Sequence, residues 1–236
     1  MTGVKAEARP LAIDLDGGDR VSGLSVAPAA ARTCFVLAHG AGAGMTHPFL
    51  ARVADGLAER GVATLRYQFP YMERRSKRPD VPKVAQSTVR AAVTAAARMH
   101  PDLPIFAGGK SFGGRMTSQA QAEAPLPGVR GLIFVGFPLH PPGRASDERG
   151  AHLNEIEVPL LFLQGTRDAF AEMTLLEALV ARLGARATLE RIAEGDHSFL
   201  VPARSGRTAD QVMDELLDAM VPWMDRLLRS PSRTTR

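Results

Sequence analysis

From residue 34 onward, short apolar runs alternate with stretches whose apolar residues recur every three or four positions. The runs cover 34–38, 62–67, 104–108, 131–136 and 159–164, with 187–192 as a weaker sixth. Runs this short have the length of buried strands, and their alternation with helical patterns predicts βαβ units and a mostly parallel sheet in an α/β fold. Ahead of them, Leu11-Ala12-Ile13-Asp14-Leu15 and Val21-Ser22-Gly23-Leu24-Ser25-Val26 flank Gly17-Gly18, which predicts an antiparallel hairpin. Pro48, the spacing of Phe49, Val53 and Leu57, and the stop at Gly61 define one amphipathic helix. Val89, Val93 and Ala96 mark a second between about 83 and 99, and Met173, Leu176, Leu179, Val180 and Leu183 mark a third. The last pattern, Met213, Leu216, Leu217, Met220, Met224 and Leu227, contains Pro222, so a kink or break is expected there. The stretch 68–82 reads as irregular.

Composition narrows this picture. A chain of 236 residues, 45% hydrophobic, can bury the core of one α/β domain, so a single domain over 1–229 is expected, with a flexible basic tail at 230–236. The one cysteine, Cys34, sits inside the first apolar run, which predicts a buried strand residue and leaves no intramolecular disulfide. The formal net charge is +4, and Arg226, Arg229, Arg233 and Arg236 account for all of it, so charge gives little reason to expect a nucleic-acid partner. The first twenty residues hold no apolar run of signal-peptide type, and no 18-residue apolar stretch occurs. A cytoplasmic protein without a membrane partner is the expectation.

The chemistry centres on Gly109-Lys110-Ser111-Phe112-Gly113. An apolar strand run precedes it and a helical stretch, 112–123, follows, which is the setting of a nucleophile elbow. There the glycines allow helix and strand to approach, and the serine oxygen is exposed at the carboxyl end of the sheet. A serine needs a base. Of six histidines, His197 in Glu194-Gly195-Asp196-His197-Ser198-Phe199 is best placed, after the last strand run and before the final helix. Asp168 follows the strand run 159–164 through a short turn, and is expected to orient His197; Asp196 is the rival acid. The chain order is then Ser111, Asp168, His197. The amides of Phe112 and of Ala41, in His39-Gly40-Ala41-Gly42-Ala43-Gly44, are the expected oxyanion donors. His39 reads as structural. No histidine spacing suggests a metal site, the glycine patterns lack nucleotide-binding spacing, and no cofactor is expected.

Taken with these, Tyr67-Gln68-Phe69-Pro70-Tyr71-Met72, Gly108-Gly109-Lys110-Ser111-Phe112-Gly113-Gly114-Arg115, Phe137-Pro138-Leu139-His140-Pro141-Pro142-Gly143 and Gln164-Gly165-Thr166-Arg167-Asp168 make residues 34–200 resemble one family. It is the group of small α/β-hydrolases described as predicted or dienelactone-hydrolase-like hydrolases, with distant relatives in a vertebrate chromatin-acetylation complex. The resemblance implies the α/β-hydrolase fold and the positions of the three catalytic residues. Dienelactone hydrolases use a cysteine nucleophile, whereas this chain carries Ser111.

About twenty residues separate Gly136 from Pro159, which leaves no room for a large lid and favours small ester or other acyl substrates. Gly42 and His140 are candidate pocket residues. The segment 66–83 carries Arg66, Arg74, Arg75, Lys77, Arg78 and Lys83 against Glu73 and Asp80, and either favours anionic acyl substrates or is a solvated basic loop. The leading expectation is a serine esterase. The alternatives are a non-catalytic binding protein that keeps the fold, and an acyltransferase.

Overall fold

Every residue of Thr33–Ala38 (β3) is buried, and its side chains divide between two separate apolar clusters. Cys34, Val36 and Ala38 join one; Phe35 and Leu37 join the other. Burial on both faces of a strand, at its two-residue period, is the signature of a sheet sandwiched between helix layers. A computed structural model describes residues 6–229 and shows that arrangement; the expected tail at 230–236 lies outside the described residues.

The other strands are Arg9–Asp14 (β1), Arg20–Val26 (β2), Val62–Tyr67 (β4), Ile105–Lys110 (β5), Val129–Val135 (β6), Leu160–Gly165 (β7) and Ala187–Ile192 (β8). They form one eight-stranded sheet in the order β1-β2-β4-β3-β5-β6-β7-β8. The pairs β1–β2 and β2–β4 are antiparallel, and the rest are parallel. The helices are Pro48–Glu59 (α1), Pro70–Glu73 (α2), Pro82–Met99 (α3), Phe112–Glu123 (α4), Met173–Leu183 (α5) and Ala209–Arg229 (α6).

The strand order explains which helix covers which face. Right-handed crossovers place a helix on one face when the chain steps from β3 to β4, and on the other when it steps in the opposite direction, from β4 past β3 to β5 and on through β6 and β7. Accordingly α1 packs with α6 on one face through Leu50, Val53, Leu57, Leu216 and Met220. On the other face, α3, α4 and α5 contribute Val89, Val93, Met116, Ala120, Leu176 and Leu179. The winding reverses between β3 and β5, so the loops leaving their carboxyl ends diverge and open a crevice.

Two expectations change. The helix α6 runs through Pro222 without a break. Pro222 is exposed, so the missing amide bond and the displaced carbonyl of the preceding turn face solvent, while Trp223 and Met224 hold the inner side in the core. The stretch 68–82 is not wholly irregular, because Pro70 starts the short α2. The connection from β6 to β7 holds only the 3₁₀ segment Glu148–Glu155, and the fold has no large lid. Among the described residues, no helix is long and apolar enough to cross a membrane.

Candidate active site

Ser111 stands between β5 and α4 with φ 50° and ψ −116°, a conformation that a side-chain-bearing residue rarely adopts. The surrounding glycines make it possible. A Cβ on Gly113 would lie 2.6 Å from the His39 carbonyl oxygen and 2.7 Å from the Ala38 Cβ, and one on Gly109 would strike the Ala38 carbonyl. Strand and helix therefore close on the end of β3, and the turn between them projects Ser111.

The three side chains expected to act together meet. Ser111 Oγ lies 2.8 Å from His197 Nε2, and His197 Nδ1 lies 2.7 Å from Asp168 Oδ2. With Nδ1 donating to the carboxylate, Nε2 is free to accept the serine proton. The Asp168 side chain is fully buried, and its charge is met by hydrogen bonds. Oδ2 also accepts from Gln164 Nε2 at 2.6 Å, and Oδ1 accepts from the Phe170 amide at 2.8 Å. Gln164 is itself fixed, since its Oε1 accepts from the Phe137 amide at 2.8 Å. Phe170 lies against the His197 ring with centroids 4.3 Å apart. The rival acid, Asp196, is engaged elsewhere: its Oδ1 accepts from the amides of Ser198 and Leu200 at 2.8 and 2.9 Å, and so shapes the loop that carries His197.

The loop after β3 is tied down from below. His39 is fully buried; its Nδ1 donates to the Gly40 carbonyl at 2.7 Å, and its Nε2 accepts from the Phe69 amide at 3.1 Å. Burial lowers the pKa of this imidazole, against a smaller opposing effect of the Gly40 bond, so it remains the neutral Nδ1–H form. The Tyr71 hydroxyl accepts from the Gly42 amide at 2.9 Å, and Gln68 Oε1 accepts from the Met45 amide at 2.8 Å. Ala41 is exposed and lines the cleft beside Ser111, and Phe112 is the first residue of α4, where helix amides point outward.

The cleft over Ser111 has a volume of about 310 Å³ and is open to solvent. Ala41, Ala43, Phe49, Leu50 and Phe170 give it apolar walls, and Lys110 and His197 are its ionisable members beside His47. Gly42 and His140 are not part of this lining. The Gly42 amide is turned to Tyr71, and His140 is buried, with Nδ1 bonded to the Pro141 carbonyl at 2.9 Å and Nε2 accepting from the Glu172 amide at 2.8 Å. His140 is thus a loop brace. The basic segment does not line the cleft either: Arg66 is buried and donates to the Met45 carbonyl at 3.2 Å, Arg74 pairs with Asp80 at 2.7 Å, and Arg75, Lys77, Arg78 and Lys83 are exposed.

Gln68, Tyr71, Gln164, Phe170 and Lys110 are the site residues that sequence reading missed. All but Phe170 lie in the stretches that carry the family resemblance, which marked those segments without marking a role for these residues. Gln164 also lies four residues before Asp168 at the end of a strand run.

Residues 31–225 match the family described as the alpha/beta hydrolase domain. Among solved structures, dienelactone hydrolase from Anabaena variabilis is similar at 20% identity with a TM-score of 0.76, over 94% of this chain and 99% of that one. XC6422 from Xanthomonas campestris, described as an α/β serine hydrolase without a lid, is 19% identical with a TM-score of 0.72, over 98% of this chain and 100% of that one. Est1E from Butyrivibrio proteoclasticus, with ferulic acid bound, is 17% identical with a TM-score of 0.73, over 93% and 100% of the two chains. At these identities the likeness is one of fold.

Proposed function

The chain belongs to the alpha/beta hydrolase domain family, and on that premise we propose that it is a serine hydrolase that cleaves small carboxylic esters through an acyl-enzyme. One observation carries the reading. The serine held at positive φ on the elbow is joined to a buried carboxylate through both nitrogens of one imidazole, at 2.8 and 2.7 Å.

In this reaction Ser111 Oγ attacks the ester carbonyl while His197 Nε2 takes its proton. Asp168 holds the ring in the productive tautomer and stabilises the imidazolium as it forms. The carbonyl oxygen, now negative, is held by the amides of Phe112 and Ala41, with the start of α4 adding its dipole. Protonated His197 then gives its proton to the departing alkoxide, leaving the acyl group on Ser111. Water repeats the sequence in reverse and releases the acid.

The cleft supports a small substrate. A volume of about 310 Å³ lies at the low end for ligand pockets, and the walls of Ala41, Ala43, Phe49 and Leu50 suit a short or compact acyl group. An esterase domain from Rhodothermus marinus and a cold-adapted esterase from an Arctic intertidal metagenomic library share the fold, which agrees with an ester as the scissile bond.

A panel of nitrophenyl esters of increasing acyl length tests the reading. Turnover is expected for the short esters and should fall for long chains, with Ser111→Ala lowering kcat by about 10⁴-fold or more. Turnover that survives in folded Ser111→Ala would reject Ser111 as the nucleophile. No turnover by the wild type together with tight binding of a macromolecular partner would favour the binding-protein alternative.

A further inference from the structure

Lys110 is the last residue of β5 and directly precedes Ser111. It is half-buried and belongs to the cleft wall. Its Nζ donates to the backbone carbonyl of His197 at 2.6 Å and lies 5.5 Å from the centre of the Phe199 ring. It forms no ion pair among the described residues. The ammonium stands close to the Asp168–His197 couple: from a Cβ position built on Gly136, Lys110 Nζ is 3.0 Å away, and Asp168 Oδ2 and His197 Nδ1 are each 3.6 Å away.

The fold alone gives no reason for a charge here. An ammonium withdrawn from water without a bonded carboxylate destabilises the native state, and a methionine of similar length would fill the same space without that penalty. Burial pulls the Lys110 pKa down to about 8, against the opposing fields of Asp168 and Asp196. Because the lysine pKa is lower in the folded chain than in the unfolded one, the penalty is present in full below about pH 8 and fades as pH rises towards the ordinary lysine value of 10.5. What the charge does provide is a charge-assisted hydrogen bond to the backbone of the base.

We propose that Lys110 is a positioning residue that fixes His197 in register with the nucleophile. Two consecutive residues grip the same histidine at two points. Ser111 meets the ring at Nε2, and Lys110 holds the main chain at the carbonyl oxygen. The loop from Ile192 to Phe199 is tied to the turn after β7 by the Arg167 amide donating to the Gly195 carbonyl at 2.8 Å and the Glu194 amide donating to Thr166 Oγ1 at 2.8 Å, but these bonds stop short of the His197 main chain, so the tie from the elbow sets how far the imidazole stands from Ser111. The titratable groups facing the ammonium are Asp168, from the turn after β7, and Asp196 and His197, from the base loop; Gly40 and Gly136 flank it on the β3 and β6 sides. The role rests on the serine-hydrolase reading.

The test measures how fast a fluorophosphonate labels Ser111, a rate that depends on nucleophile and base but not on knowing the natural substrate. Labelling rates are compared for wild type, Lys110→Met, Lys110→Gln and Ser111→Ala from about pH 6 to about pH 10, beside the Tm of each. Lys110→Met is expected to label about ten- to a hundredfold more slowly at neutral pH, with a Tm at or above that of wild type. Lys110→Gln, which keeps an N–H donor without charge, should fall between them. The wild-type rate should turn down above about pH 8 as the ammonium loses its proton, and neither Lys110 variant should show that downturn. Equal rates in wild type and both variants, a downturn shared by all, or a Tm that drops in step with the rate would overturn the positioning role while leaving the hydrolase reading intact. Absence of Ser111-dependent labelling in folded wild type would instead defeat the hydrolase reading, and the role of Lys110 with it.

Discussion

At the scale of single residues, Asp168 shows how a charge is kept inside a protein. Its side chain is fully buried, yet Gln164, His197 and the Phe170 amide all bond to it, so the carboxylate is stabilised where it stands. Asp168→Asn preserves shape and replaces an acceptor by a donor beside Nδ1, which favours the wrong imidazole tautomer. The expected outcome is a loss of between about 10³- and 10⁴-fold in kcat with little change in Tm, read from ester hydrolysis and thermal melts. The three residues proposed to act directly stood out in the sequence because type and place coincide: a serine on a glycine turn, an aspartate after a strand, a histidine ahead of the last helix. Gln164, Tyr71 and Lys110 did not. Glutamine, tyrosine and lysine near a loop are common on any surface, and only the fold brings Tyr71 to the Gly42 amide or Lys110 to the His197 carbonyl. His140 misled for the complementary reason: a histidine after a strand suggests a pocket, but its two nitrogens brace the loop. Cys34 is fully buried with its thiol pKa pushed up to about 12 by desolvation, as befits a packing residue rather than a nucleophile.

At the scale of elements, apolar periodicity located strands and helices well because both faces of the sheet are covered, so core strands appear as unbroken apolar runs. Periodicity is silent about what proline does in a helix held by packing. In α6, Met213, Leu216, Leu217, Met220, Trp223 and Met224 form one buried stripe, and Trp223 lies 5.7 Å from the Phe106 ring, centre to centre. That packing outweighs the local cost of Pro222, which faces water. Pro222→Ala restores the missing donor on the exposed side, and is expected to raise stability by up to about 3 kcal/mol, measured by chemical denaturation. Activity should not change, since α6 lies across the sheet from α4. The irregular stretch 68–82 escaped for a related reason: α2 has only four residues, too few for a periodic pattern.

At the scale of the whole molecule, the place of the candidate site follows from where the winding reverses. The diverging loops after β3 and β5 supply Ala41 and Ser111, while the turns after β7 and β8 bring Asp168 and His197 to the same sheet edge. Strand alternation predicted the parallel sheet, but the order of strands, and hence this convergence, is a long-range property that the family resemblance supplied and no local pattern states. The absence of a large lid leaves the cleft open, and under the proposed function discrimination among substrates falls to the apolar walls around Ser111. The most direct test of the central claim is capture of the acyl-enzyme. Rapid acid quench of the protein during turnover of a short nitrophenyl ester, followed by peptide mass spectrometry, should show the acyl mass on the peptide containing Ser111, and none in Ser111→Ala. Steady turnover with no acyl adduct at Ser111, or an adduct on another residue, would contradict it.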